Sequence, residues 1–191
     1  MIQRCAWVPS NDTLYLDYHD REWGVPVHDD RVWFEFLVLE GFQAGLSWRT
    51  ILNKRENFRQ AFDHFDPQKI ALYNDSKISE LLSNTGIIRN HSKIRASILN
   101  ARAFLDVQTE YGNFDTYIWR FVDGHPKVNA WNSIADIPTR SLESDKLSKD
   151  LVQRGFKFVG STICYAHMQA TGMVNDHTTE CFRYKELIAG L

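Results

Sequence analysis

The chain has 191 residues, 43% of them hydrophobic and 24% charged, with a formal net charge of −2. This is the composition of one soluble globular domain, or of two small lobes that share a core, and it excludes a disordered, collagen-like or disulfide-rich chain. Taken alone, the small net charge argues against a nucleic-acid partner, because such domains usually carry a basic surplus. Aromatic residues reach 13%, which favours a recognition surface or a stacking pocket.

The cysteine count and the hydropathy pattern indicate the compartment. Three cysteines do not make a disulfide framework, so we expect a reducing, cytoplasmic setting. No basic and then apolar segment opens the chain, so we expect no signal peptide. Residues 158–175 lack Lys, Arg, Asp and Glu but are too polar for a membrane span. We therefore expect no membrane association.

Helix signals follow one another along the chain. The predicted helix starts, in chain order, are Asp29–Asp30, Ser47, Asp66–Pro67, Asp75–Ser76, Asn90, Phe114, Ser144 and Gly160. Capping side chains, a proline at a first helical position and apolar residues at helical spacing support them. Gly41 and Gly155 are predicted helix stops. Residues 123–143 are predicted to be a long loop, and no segment shows the alternation of a strand. The predicted fold class is all-α.

Four potential metal ligands lie near the two ends of the chain, namely Cys5, His19, His177 and Cys181. The spacing of His177 and Cys181 predicts that both lie on one helical face or in one tight turn. A Cys2His2 set is a closed, tetrahedral arrangement typical of structural zinc, and it would tie down two segments that otherwise fray. Spacing alone leaves open the alternative of buried free cysteines with surface histidines. Cys164, in an apolar stretch, is predicted to be a packing residue.

Glu40 is unusual because it follows an apolar run at the predicted end of a helix, where the helix dipole disfavours a carboxylate. A residue that breaks local rules is a candidate site residue; the alternative is a solvent-facing glutamate. The next residues, 41–48, combine Gln43, Gly45, Leu46 and Trp48. They could present flat and wedge-shaped groups to a ligand, or form an ordinary turn.

Aromatic residues crowd the first 25 positions: Trp7, Tyr15, Tyr18 and Trp23. With Trp48 they are predicted to line a stacking pocket. The alternative is that they only pack the N-terminal segment.

The charges are distributed unevenly. Residues 10–40 hold eight acids and two bases, whereas the remainder holds 20 bases and 16 acids. The net charge of −2 is therefore the sum of an acidic part and a basic part, and it does not exclude DNA. Basic residues gather in 86–102 and 146–162, and the second group leads into a Gly-x4-Gly turn before a predicted helix. Such a turn offers backbone N–H groups to a phosphate, although a plain helix–turn–helix with a solvated face is the alternative.

Long motifs resemble the 3-methyladenine DNA glycosylase I family, in order and over essentially the whole chain. They are Arg4-Cys5-Ala6-Trp7, residues 18–26 (YHDREWGVP), residues 39–48 (LEGFQAGLSW), Lys54-Arg55-Glu56-Asn57, residues 154–165 (RGFKFVGSTICY) and Val174-Asn175-Asp176-His177. The resemblance implies a helix-hairpin-helix fold for a single unit, residues 1–191, with two helical lobes around one cleft and the hairpin at about 154–162. It also implies a zinc ion on Cys5, His19, His177 and Cys181 that joins the N- and C-terminal segments.

The resemblance further implies the site residues. Glu40 and Tyr18 would hydrogen-bond an extruded base, Trp48 would stack on it, and Leu46 would be the wedge in the DNA stack. The DNA-contacting residues would be Gln43, Gly45, Leu46, Gly155, Lys157, Gly160, Ser161 and Thr162. Related glycosylases carry a catalytic aspartate where this chain has Asn175, so activation of water by that aspartate is in doubt.

The implied function is monofunctional, hydrolytic excision of N3-methyladenine from alkylated double-stranded DNA by a monomer, with N3-methylguanine as a further candidate substrate. N3-methylation makes adenine cationic and already weakens its glycosidic bond, so the enzyme must chiefly extract and select the base. Aromatic faces attract a cation, and a carboxylate can accept from the exocyclic amine. Two alternatives remain: a non-catalytic, zinc-stabilised DNA-binding module, and a metallohydrolase, which would need an open zinc position.

Overall fold

α-Helices form most of the regular structure in a computed structural model that describes residues 2–190. The helices of the first half are α1 (Thr13–Arg21), α2 (Asp30–Gln43), α3 (Trp48–Leu52), α4 (Arg55–Ala61), α5 (Pro67–Ile70) and α6 (Asp75–Ser83). Those of the second half are α7 (His91–Tyr111), α8 (Phe114–Trp119), α9 (Leu142–Gln153), α10 (Ser161–Ala170) and α11 (Phe182–Ala189). Short 3-10 turns cover Asp63–Phe65, Arg120–Val122 and Ile134–Asp136.

Helix α2 runs through the centre of the molecule. Every residue from Trp33 to Phe42 is buried, as expected of a helix that is surrounded on all sides. It packs against α3, α7, α8 and α10. The two acidic residues in this stretch, Glu35 and Glu40, are therefore held inside the protein.

Several predicted helix starts are confirmed by their caps. The side chains of Asp29 and Asn90 accept hydrogen bonds from backbone N–H groups of the first turns of α2 and α7. Asp66 caps α5, with Pro67 at its first position. These residues act locally, by satisfying N–H groups that have no partner inside the helix.

Other boundaries differ from the sequence prediction. Ser141 rather than Ser144 caps α9, and Ser144 bonds back to it in a capping box. The predicted helix from Ser47 is two helices, α3 and α4. Gly41 does not end α2; a Cβ atom there would stand 3.4 Å from the Phe158 Cβ. The glycine thus lets the segment after α9 approach α2 closely, which is a packing role.

The all-α prediction holds except for one short pair of parallel strands, β1 (Lys127–Val128) and β2 (Val174–Asn175). Residues 123–143, predicted as a loop, thus contribute a strand and a 3-10 turn. The pair joins this segment to the residues that follow α10. Within residues 2–190, no helix has the length and apolarity needed to cross a membrane.

Candidate active site and metal centre

A pocket of about 400 Å³ opens between α1, α2, α10 and the segment around Pro138. Its lining residues are Trp7, Tyr15, Tyr18, Trp23, Glu40, Gln43, Trp48, Ile134, Ile137, Pro138, Thr139, Thr162, Tyr165, Ala166 and Gln169. We call this the base pocket. The structure therefore brings together the three predicted catalytic residues, Glu40, Tyr18 and Trp48, with the N-terminal aromatic residues. The aromatic lining and single carboxylate suit a flat ligand that carries positive charge.

Glu40 lies in the last turn of α2 and is only 4% exposed. Within residues 2–190, its carboxylate accepts no hydrogen bond and forms no ion pair. Burial alone raises the pKa of Glu40 from 4.5 to about 8. A carboxyl group with this environment in a pocket is a candidate functional group.

Glu35, one and a half turns earlier on α2, shows the opposite arrangement. Its carboxylate accepts hydrogen bonds from Arg55 Nε at 2.5 Å and Arg59 Nε at 3.1 Å. Two guanidinium groups thus neutralise one buried carboxylate, whereas Glu40 has none. The solvent-facing alternative for Glu40 is wrong, because the helix that carries it is enclosed.

Two aromatic side chains stand beside Glu40. The ring centroids of Tyr18 and Trp48 are 5.4 Å apart, and Trp48 stacks on Phe36 from α2. Burial raises the pKa of Tyr18, and the charge of Glu40 adds to the shift, so Tyr18 remains a neutral phenol. The buried Trp48 Nε1 has no hydrogen-bond partner within the described residues.

The loop after α2 is anchored from beneath. Lys93, which is buried, donates to the backbone carbonyls of Phe42 at 2.8 Å and Ala44 at 2.6 Å. Gly45 has a φ of +79°, and the next residue, Leu46, is 41% exposed. Gln43 lines the base pocket. The structure thus leaves an apolar side chain partly exposed on the loop that follows the pocket residue Gln43.

The Cys and His side chains from the two ends of the chain meet in one buried cluster. Cys5, His19, His177 and Cys181 present ligand atoms that all lie within 4.8 Å of one another. Cys181 Sγ is 3.5 Å from His19 Nε2 and 3.4 Å from His177 Nδ1, and Cys5 Sγ is 3.5 Å from His177 Nδ1. His177 and Cys181 lie in the turn before α11 rather than on a helix. This group, which we call the Cys/His cluster, could hold a metal ion.

The outer nitrogens of both histidines are bound in the way that metal ligation requires. His19 Nδ1 donates to Asp20 at 2.7 Å, and Asp20 also accepts from Arg4 at 2.6 Å. His177 Nε2 donates to the carbonyl of Trp23 at 3.0 Å. Each ring therefore points its other nitrogen at the cysteine sulfurs, and the cluster has the ligand types, the ligand count and the outer hydrogen bonds of a metal site.

The turn between α9 and α10, residues 154–160, occupies the place of the predicted hairpin. Gly155 has a φ of +96°, a backbone conformation open mainly to glycine. Gly160 is exposed and begins α10 without a side-chain cap, so the first N–H groups of that helix have no side-chain acceptor. Lys157 and Thr162 are exposed, and Ser161 bonds to Ser144 at 2.9 Å. We call this turn the hairpin.

Only part of the predicted basic surface is free to attract DNA. In 86–102, Lys93 caps α2, Arg102 donates to the carbonyl of Ala71, and Arg95 pairs with Asp75. These three side chains make contacts within the protein, whereas Arg89 is exposed and forms no ion pair with residues 2–190. Near the hairpin, Arg154 pairs with Asp150 and Glu110, but the side chains of three exposed lysines have no ion pair in residues 2–190. These are Lys146, Lys149 and Lys157.

Two groups of residues at the site escaped sequence reasoning. Ile134, Ile137 and Pro138 form one wall of the base pocket, although their segment shows no regular pattern. Asp176 is 1% exposed and accepts hydrogen bonds from four side chains, two of which also line the pocket. The donors are Asn129, Trp131, Tyr165 and Gln169. In the sequence, Asp176 stands out only because it follows Asn175 in a family motif. That motif does not predict the four hydrogen bonds that Asp176 accepts.

Comparisons with known proteins agree with this geometry. The family model described as methyladenine glycosylase matches residues 7–184. DNA-3-methyladenine glycosylase 1 of Escherichia coli (strain K12) is 50% identical over 183 residues, which are 96% of this chain and 97% of the relative. A crystal structure of a 3-methyladenine DNA glycosylase I superposes with a TM-score of 0.91 at 55% identity, covering 94% of this chain and 98% of the other.

A further solved structure is that of a 3-methyladenine DNA glycosylase I from Staphylococcus aureus, which concerns that protein's recognition of 3-methyladenine. It is 36% identical, with a TM-score of 0.88, and covers 91% of this chain and 92% of the other. The family model covers most of the chain, and the relatives match over almost their full length. The chain belongs to the methyladenine glycosylase family.

Proposed function

We propose that this chain is a DNA repair glycosylase that excises N3-methyladenine from alkylated DNA, with Glu40 as the group that recognises the base. The observation that carries the proposal is the buried Glu40 carboxylate, which has no partner in the described residues and lies inside a pocket of aromatic rings. The names of the relatives support the substrate. The base is released free, and an abasic site remains.

The chemistry of the base fits the pocket. N3-methylated adenine in DNA carries a delocalised positive charge, which the aromatic faces of Tyr18 and Trp48 attract. Glu40, as a carboxylate, accepts from the exocyclic amine. Bound cation favours the ionised form of Glu40, although burial raises the pKa of the free pocket's carboxyl to about 8. A base without the matching donor leaves a buried acceptor unpaired, and this penalty provides selectivity.

The bond to be broken is already weak, so the chain's residues act by extraction and orientation. The base leaves neutral, and no side chain needs to protonate it. Leu46 fills the gap in the DNA stack, and Gln43 stands beside it. Asn175 stands where related glycosylases carry the catalytic aspartate, and its side-chain amide donates to the carbonyl of Tyr184. An amide cannot act as a base, so water attacks the sugar without help from this position.

The hairpin is the proposed grip on the DNA backbone. The first N–H groups of α10, near Gly160, Ser161 and Thr162, have no side-chain cap and would face a phosphate at the start of the helix. The N–H of Gly155 already donates to the carbonyl of Val152, so Gly155 would contribute the shape of the turn instead of a phosphate contact. Lys157, with Lys146 and Lys149 of α9, adds positive charge without sequence preference. Action on double-stranded DNA as a monomer remains a prediction.

The ion proposed for the Cys/His cluster is zinc, in a structural role. Zinc bonds of about 2.3 Å to sulfur and about 2.0–2.1 Å to nitrogen, at tetrahedral angles, place neighbouring ligand atoms about 3.3–3.8 Å apart. Three of the six separations between ligand atoms, at 3.4 and 3.5 Å, fall in this range, and all six lie within 4.8 Å. Four protein ligands leave no open position, which disfavours the metallohydrolase alternative. Zinc here would supply cross-linking of the two segments and no reaction step.

The decisive experiment measures bases released from methylated DNA by chromatography. We expect the parent protein to release 3-methyladenine, which a non-catalytic DNA-binding module would not do. Glu40→Gln should lower kcat/KM about 100-fold, because the substitution removes the negative charge that attracts the positively charged base. Glu56→Gln, a solvent-exposed change on α4, is the matched control. Unchanged kinetics for Glu40→Gln would remove Glu40 from the mechanism.

A further inference from the structure

A second, much smaller cavity shares Glu40 with the base pocket. It is lined by Leu37, Glu40, Leu151, Val159, Ile163, Cys164 and His167, and Glu40 is the one residue common to both linings. The cavity offers about 10 Å³ to the centre of a water molecule, and one internal water needs roughly 10–15 Å³ by this measure. The small cavity is therefore about the size of a single water site.

His167 of α10 also lines this cavity and is its only ring side chain. It is 4% exposed, and neither ring nitrogen has a hydrogen-bond partner in residues 2–190. Burial lowers the pKa of His167 to about 3, so the ring is neutral, with one nitrogen that donates and one that accepts. His167, whose buried ring nitrogens have no partner, and Glu40, whose carboxylate has no protein partner in residues 2–190, thus both line one water-sized space.

We propose that one internal water occupies the small cavity and connects the His167 imidazole to the Glu40 carboxylate, making His167 a positioning residue for base recognition. Buried polar groups without direct partners are commonly satisfied by such waters. The inference rests on the proposed role of Glu40. It adds a residue that touches neither the base nor the DNA.

The hydrogen bonds can be assigned without knowing the tautomer of the ring. The water donates one hydrogen to the Glu40 carboxylate. It then either donates its second hydrogen to an unprotonated nitrogen of His167 or accepts from a protonated one. A hydrogen bond donated to the carboxylate stabilises its charged form. The water therefore favours the ionised Glu40 that accepts from the base and limits its side-chain rotation.

No other side chain that lines the small cavity is available to hydrogen-bond the proposed water in place of His167. The Cys164 thiol already donates to the carbonyl of Val159 at 3.3 Å. The α9 side chain at the cavity is Leu151, which is apolar. On the pocket side, burial raises the pKa of both Tyr18 and Tyr15, so neither carries charge. The pH response of this region is thus set by Glu40 and its contact with His167.

The test is the pH profile of kcat/KM for release of 3-methyladenine, measured for His167→Phe and His167→Gln. Phenylalanine fills the ring position without a hydrogen bond, so the rising acid limb should shift upward by about one pH unit. Activity at a pH below both midpoints should fall about tenfold and recover above them. Glutamine retains a donor and an acceptor and should restore the parental midpoint.

Two variants control for packing. Cys164→Ala alters the same cavity but leaves His167 in place, and Met168→Leu changes a buried α10 residue that does not line the cavity. Both should retain the parental midpoint. A parental midpoint in His167→Phe would overturn the inference, as would an equal shift in Cys164→Ala. A crystal structure of the parent protein with no water density in the cavity would overturn it independently of any variant.

The inference and the proposed function fail in different ways. If Glu40→Gln loses activity while His167→Phe keeps the parental pH profile, only the water contact is wrong. If Glu40→Gln retains full activity, the role of Glu40 is wrong and the role of His167 falls with it. In the Glu40→Gln background, His167→Phe should have no pH-dependent effect, because the titrating carboxyl is gone.

Discussion

The Cys/His cluster and the base pocket share a wall but differ in how their polar groups are satisfied. Trp7 and Trp23 line the pocket, and the Trp7 ring lies 5.3 Å from the His19 ring of the cluster. In the cluster, the outer nitrogen of each histidine has a partner. In the pocket, neither the Glu40 carboxylate nor Trp48 Nε1 has one.

This difference separates a site that stabilises the fold from one that recognises a ligand. Unpaired buried polar groups cost stability, and proteins retain them where function needs them. The cluster would be complete with its own four ligands and the proposed ion. The pocket, under the proposed function, receives a base that brings a positive charge and hydrogen-bond donors.

The largest expected effect comes from breaking the Cys/His cluster. Cys181→Ser should abolish stoichiometric zinc and lower the melting temperature by about 10 °C or more, since structural zinc contributes directly to folding free energy. Elemental analysis and thermal denaturation measure both. Cys164→Ser, a buried cysteine outside the cluster, should keep the parental zinc content. A parent protein without stoichiometric zinc would contradict the proposed ion.

The two glutamates of α2 should respond with opposite signs. Glu35→Gln removes the buried anion between Arg55 and Arg59, which keep only the more exposed Glu22 and Glu56 as partners, and should destabilise the protein by about 3 kcal/mol. Glu40→Gln removes a group whose folded pKa, about 8, lies above its usual 4.5. The folded parent binds the extra proton, so its stability falls by about 1.4 kcal/mol per pH unit as pH rises between these values.

Chemical denaturation of both variants across this pH range checks the prediction. The stability of Glu40→Gln should not fall over this range, so its free energy of unfolding should exceed that of the parent most clearly near pH 8. Equal pH dependence in Glu40→Gln and the parent would mean that the Glu40 carboxylate is solvated or paired in solution. The comparison between a satisfied and an unsatisfied carboxylate would then be wrong.

The smallest expected effects lie at the hairpin, away from both sites. Single Lys146→Ala, Lys149→Ala and Lys157→Ala changes should each weaken DNA binding severalfold and reduce the salt slope by about one. Binding of free 3-methyladenine should not change. Lys77→Ala is the control, since its ammonium already pairs with Glu80 at 2.7 Å. A strong preference for flanking sequence would contradict a grip on the backbone alone.

The sequence predicts those features that short stretches of chain encode. Asp29, Asn90 and Pro67 mark helix starts because a cap acts within one turn. The long motifs also identified the family, and with it the meeting of residues 5, 19, 177 and 181. Glu40 was found because it breaks a local rule.

Features that depend on distant packing were missed. Lys93 was counted as surface charge, yet it donates to carbonyls about 50 positions away at the end of α2. Ile134 and Ile137 give no sign in the sequence of facing the base pocket. His167 lies in a stretch predicted to be a buried helix, but only the three-dimensional arrangement shows that its ring lacks a partner and shares a cavity with Glu40.

The contacts of the Cys/His cluster join positions far apart in the chain, with Cys181 and His19 separated by 162 residues. Bringing such distant positions together has a loop-closure cost, so we expect these contacts to form after the helices between them have packed. Binding of the proposed metal ion would then require that the core has already formed. A nascent chain would bind the ion firmly only once Cys181 has been synthesised and the intervening helices are in place.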